Sequence, residues 1–132
     1  MGFEEIGHTA DWAMRVWADD LPSLFAEAVR GMNTLAGVKL DDQNRVRRVY
    51  EVDAPDAESL LVAFLSELIF FQEQENLAFD LFEINMDDQS LKVNMEGAEI
   101  TSMDKAIKAV TYHNMKIKKS ARVLEVEIVL DV

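Results

Sequence analysis

The sequence predicts an α+β fold: a two-layer sandwich with two helices on one face of a mixed, mostly antiparallel sheet. Three observations predict it. Two stretches carry apolar residues at helical spacing, or nearly all round, between good caps. Several others alternate apolar and polar residues and end at Asp, Asn, Pro or Gly. The two kinds come in the order strands, helix, strand, helix, then a run of strands. At 132 residues this is a single domain, 1–132, able to bury about two-thirds of its unfolded surface without staples.

The elements follow in order. Phe3 to Gly7 opens as a short strand, and Trp12, Met14 and Val16 set a second one at period two, through Ala18. Between them lie His8 and Asp11. Asp20 then caps a helix with Pro22 in its first turn. Leu21, Leu24, Phe25, Ala28, Val29, Met32 and Leu35 form its apolar face, and Gly37 ends it. Val38 to Asn44 reads as a polar loop. Arg45 to Asp53 is a strand with Val46, Tyr50 and Val52 inward or edge-facing, and its three arginines fit a charged sheet edge better than a phosphate site.

Pro55 follows, and Asp56 caps a second helix with Glu58 in its first turn. From Leu60 to Phe71 apolar residues nearly encircle the segment, which marks a buried helix. Glu67 is the exception inside it. A carboxylate there needs a cation, a hydrogen bond or a place at the rim. Gln72 to Asn76 reads as solvated. Leu77–Met86 and Ser90–Met95 make a hairpin whose turn is built by Asp87 and Asp88. Glu96 to Lys108 reads as a mixed loop. Ala109 to Ile117 and Arg122 to Asp131 are two closing strands around the polar break Lys118–Ala121. In the last of them Leu124, Val126, Ile128 and Leu130 share one face. A core strand ending there would hold Asp131 and Val132 at a fixed point.

Composition narrows the function. There is no cysteine, hence no disulfide frame and no thiolate metal site. No apolar run reaches the ~20 residues of a membrane span, so a cytoplasmic protein without a membrane partner is expected. Thirteen cations stand against 25 acids. A net charge of −12 repels phosphate backbones and argues against direct nucleic-acid binding. There is no phosphate-binding glycine loop and no nucleophile motif, so a metal-dependent hydrolase built on Asp11, His113 and Asp131 is disfavoured. His8 and His113 fall in different segments without the i, i+4 spacing of a helical zinc motif. What remains is oxygen. If the strands bearing Asp11 and Asp131 are neighbours, their carboxylates could share a hard cation, Ca²⁺ or Mg²⁺. Spacing alone favours two solvated strand-end acids.

Five segments together resemble the archease family. They are His8-Thr9-Ala10-Asp11, the helix opening Asp20 to Phe25, Leu65-Ser66-Glu67-Leu68, Lys108 to His113, and Val129-Leu130-Asp131-Val132. Each is weak alone; their order over nearly the whole chain is specific. Segment 96–108 departs from the family pattern, since it carries no histidine. The resemblance implies a non-enzymatic accessory of the RtcB-type RNA-splicing ligase, which joins tRNA ends using GTP and Mn²⁺. The accessory would speed guanylylation of the ligase and sustain multiple turnover. It also implies a bound divalent metal, Ca²⁺ first and Mg²⁺ or Mn²⁺ next. The ligands carried over are Asp11, Asp131 and Val132, the last through a main-chain or terminal oxygen. Glu67, His8 and His113 would support them. The competing reading is a chaperone or specificity modulator of another RNA-processing enzyme, such as a tRNA methyltransferase.

Overall fold

The structure is a computed structural model and describes residues 1–7, 11–113 and 115–132. Strands β1 (Gly2–Ile6) and β2 (Trp12–Ala18) pair antiparallel, and helix α1 (Leu21–Ala36) follows. Strand β3 (Lys39–Asp53) leads to helix α2 (Ala57–Glu75), then to β4 (Leu77–Met86) and β5 (Ser90–Ser102). Short strands β6 (Ala109–Thr111) and β7 (Lys118–Ser120) precede β8 (Val123–Asp131). The single sheet expected from sequence is two sheets, and every pairing among the described residues is antiparallel. One has the order β1-β2-β8-β6, with β7 also on β8; the other is β3-β5-β4. Helix α1 packs on β2 and β4, and α2 packs on β3, β4, β5 and β6. The helices thus tie the two sheets to one core, which runs from Met14 and Val16 through Phe25, Leu61 and Phe64 to Val93, Ile128 and Leu130.

Local chemistry explains the element ends. The Asp20 side chain accepts a hydrogen bond from Ser23 N–H at 2.8 Å, and the Asp56 side chain accepts one from Ser59 N–H at 2.7 Å. Gly37 closes α1 in the left-handed region at φ 69°, with Asp104 packed where its side chain would be. Asn76 closes α2 at φ 55°. At the β4–β5 turn, Asp87 Oδ1 accepts from the amides of Gln89 and Ser90, both at 2.8 Å.

Five segments depart from expectation, the first being Lys118–Ser120, read as a break but forming strand β7 on β8. Helix α2 continues to Glu75, because Gln72 is not solvated: it is buried and donates to Asn33 Oδ1, and Asn33 in turn donates to the carbonyl of Phe79. Residues 39–44 belong to β3, which carries a register shift between Leu40 and Arg45 and an Asx turn from Asp41 Oδ1 to the Gln43 amide. Strand β5 continues past Met95 to Ser102, so Gly97 and Glu99 lie in a strand rather than a loop. Last, the expected strand 109–117 stops at Thr111. Residues Met115 and Ile117 then pack against the core, and the Ile117 amide donates to Glu58 Oε2 at 2.9 Å.

Strand β3 is an edge, as its arginines suggested. Arg45 pairs with Asp80 and Glu96, Arg47 with Glu96, and Arg48 with Glu75. Among the described residues no helix is long and apolar enough to cross a membrane.

Three carboxylates are held below the usual range. Hydrogen bonds from Ser59 do this for Asp56, the amides of Gln89 and Ser90 for Asp87, and the guanidinium groups of Arg45 and Arg47 for Glu96. Their stabilising effect is complete above the ordinary carboxylate pKa of about 4 and is lost as pH falls through the lowered native values. The melting temperature is therefore expected to hold above about pH 5 and to fall progressively below about pH 4. A thermal melt series on Asp56→Asn/Asp87→Asn/Glu96→Gln checks this: the triple variant shows a shallower acid limb.

Candidate functional site

Strand register brings two of the predicted acids to one corner. Trp12 lies opposite Leu130 in the β2–β8 ladder. Asp11 precedes Trp12 and Asp131 follows Leu130, so both leave adjacent antiparallel strands at the same end. The polar side of this arrangement follows from the alternation that buries Leu130 and Ile128: with those two turned to the core, Asp131 is left exposed. Asp11 is half-buried.

The third strand of the corner is β6, where Ala109 faces Asp131. The Asp131 carbonyl accepts a hydrogen bond from the Lys108 amide at 2.8 Å. Its backbone is thereby fixed while its carboxylate remains available. Val132 packs against the core, which holds the residue after Asp131 in place as well. Lys108 was invisible as a positioning residue in the sequence, because it acts through its main chain.

The other predicted residues lie apart or outside. His8, Thr9 and Ala10 fall outside the described residues, as does Asn114. His113 lies two residues past Thr111, which ends β6 opposite Val129. Its amide donates to Thr111 Oγ1 at 3.2 Å. Glu67 is half-buried at the rim of α2, beside β3. There it acts on Tyr50: burial pushes the phenol's pKa up, and the nearby Glu67 charge adds to that. The Tyr50 hydroxyl donates to the Ala63 carbonyl at 3.5 Å. No contact among the described residues joins Glu67 to Asp131.

The corner fits a hard cation in kind. Its donors are carboxylate and main-chain oxygens, the set preferred by Ca²⁺ and Mg²⁺. Among the described residues no group of three or more His, Cys, Asp or Glu side chains is arranged to hold a metal. Two carboxylates and a main-chain oxygen fall short of the six to eight oxygens Ca²⁺ takes, so other positions would fall to water or to a ligand's oxygens.

The chain is similar over most of its length to known proteins. A sequence model of the archease protein family matches residues 3–132. An archease from Pyrococcus abyssi is 34% identical over 126 residues, covering 89% of this chain and 88% of the relative. Another, from Methanopyrus kandleri, is 33% identical over 131 residues, covering 90% and 91%. The crystal structure of a Thermotoga maritima protein described as an archease and possible chaperone superposes with a TM-score of 0.72 at 25% identity, covering 98% of this chain and 96% of that one.

Proposed function

The chain belongs to the archease family, and from that premise we propose that it is a metal-binding accessory of an RtcB-type RNA-splicing ligase, promoting guanylylation of the ligase and its repeated turnover. The single observation that carries the reading is the Trp12–Leu130 register, which sets Asp11 and Asp131 side by side at one end of the sheet. A cation held there would supply a positive centre for phosphate oxygens. Asp11 and Asp131 hold it, the main chain of Lys108 fixes the backbone of Asp131, and Val132 anchors the strand end in the core. A shell only part-filled by protein oxygens leaves room for a nucleotide's phosphate. The family resemblance puts Ca²⁺ first, with Mg²⁺ or Mn²⁺ as the alternatives, and oxygen ligands suit all three.

Single-turnover guanylylation of the cognate ligase tests the reading. Wild-type protein is expected to raise the rate. Asp11→Ala/Asp131→Ala protein with an unchanged melting temperature is expected to give no more than the ligase alone. Full stimulation by the folded double variant overturns the role assigned to the corner.

The Thermotoga relative's description as a possible chaperone favours a second reading, in which the protein solubilises or redirects another RNA-processing enzyme such as a tRNA methyltransferase. Immobilised protein that retains such an enzyme and no ligase from its own lysate would select it.

A further inference from the structure

The acidic balance of the chain hides a segregation of its charge. Residues 105–122 contain six cations, Lys105, Lys108, Lys116, Lys118, Lys119 and Arg122, and no acid. The other seven cations share the rest of the chain with all 25 acids. Six of those seven, Arg15, Arg30, Arg45, Arg47, Arg48 and Lys92, are in ion pairs. None of the six in 105–122 reaches a carboxylate within 4 Å among the described residues, and all six are exposed. In a protein with twice as many acids as bases, unpaired cations gathered on one segment are what folding alone would be expected to have neutralised.

Topology lays Lys108, Lys116, Lys118 and Lys119 along one border. Lys108 precedes β6, whose Ala109 faces Asp131, and Lys118 faces Glu125 near the other end of β8. Six residues of strand separate the two, about 20 Å. The border is fastened by the Ile117–Glu58 hydrogen bond and by the core contacts of Met115 and Ile117. Midway, Tyr112 is 62% exposed. It lines a concavity of about 580 Å³ with Met115, Lys116, Lys118, Glu125 and Glu127. Of its two carboxylates, Glu125 is engaged by Arg15 at 3.5 Å.

We propose that this β6–β7 border binds single-stranded RNA, its lysines meeting phosphates and Tyr112 stacking on a base. Cations strung along a sheet edge with an open aromatic ring are the two components of a sequence-tolerant single-strand site. An acidic peptide would use the cations and leave the ring without a role. The proposal reverses the expectation drawn from net charge, since binding follows the local field rather than the sum. It does not draw on ligase activation.

Fluorescence anisotropy of a labelled twelve-nucleotide single-stranded RNA, with protein alone at low salt, tests it. Wild-type protein binds, and with about three phosphates neutralised the affinity falls with salt at a log–log slope near −2. Lys116→Glu/Lys118→Glu weakens binding at least tenfold, whereas Lys39→Glu/Lys92→Glu, with the same change in net charge, leaves it within twofold. Tyr112→Ala costs about tenfold and Tyr112→Phe little. No binding by wild type, equal losses from the two charge-reversal pairs, or equal competition by a polyglutamate peptide each overturns the proposal. No ligase is present, so these outcomes leave the accessory role standing or falling on its own assay.

Discussion

Phe64→Ala lowers the free energy of unfolding by about 4 kcal/mol, the middle of the range for emptying a buried aromatic site. Phe64 is fully buried in α2 and joins three other elements. Its ring stacks on Phe25 of α1 at 6.1 Å and on Tyr50 of β3 at 6.5 Å, and meets Phe82 of β4 edge-on at 6.0 Å. Truncation removes the transfer energy of the ring and leaves a hole walled by one strand, two helices and a further strand. Neither helix can close it without leaving its own sheet contacts. In a domain of this size the loss corresponds to roughly 15 °C in melting temperature. Urea titration followed by circular dichroism measures it. Phe64→Leu keeps most of the volume and is expected to cost under about 1.5 kcal/mol. Similar losses for the two variants would show that the ring packing contributes little.

Gly97→Ala is expected to cost about 3 kcal/mol, at the upper end for adding atoms to a filled site. Gly97 faces Phe79 across the β4–β5 ladder, next to the register shift between Phe79 and Leu81. A Cβ there would overlap the carbonyl oxygen of Ala78 and lie 2.7 Å from the Cα of Phe79. Both obstacles are backbone, so no rotamer change relieves them. The close approach and the shift go together: Asp80, in the shifted stretch, pairs with Arg45 on β3. A melt of Gly97→Ala against Gly2→Ala checks the mechanism. At Gly2 the new methyl meets only the Trp17 side chain, which can move, so the cost is expected to be smaller.

Both helices were legible because three of their four ends are written in single residues. Asp20, Gly37 and Asp56 each do the capping their type suggests. The inward faces of β2, β3 and β8 were legible from alternation. Polar stretches were misread wherever a tertiary partner overrides local preference. Gln72 resembles a solvated residue until Asn33 of α1 is placed against it. Asp41 to Asn44 resemble a loop until Leu40 is set opposite Ile100. Gly97 resembles a breaker, yet it lies inside β5, where its lack of a side chain lets the β4 backbone approach. Of the site, the meeting of Asp11 and Asp131 was readable only as a condition, because no local pattern states which strands are neighbours. The gathering of cations at 105–122 stands in the sequence but is hidden by the net charge, and only the ion pairs of the other cations set them apart.

The place of β8 in its sheet also bears on how the protein is made. It stands between β2 and β6, and the ladder from Trp12 to Leu130 joins stretches separated by nearly the entire polypeptide. During synthesis the β1–β2 hairpin is made with one flank bare, and it stays so until β8 is translated. The β4–β5 hairpin and its neighbour β3 can close earlier from nearer segments. Assembly is thus ordered, and the slow step is the late arrival of a distant strand. In that interval an apolar strand border is open to the wrong partner, so yield in the cell will depend on how quickly β8 follows β2.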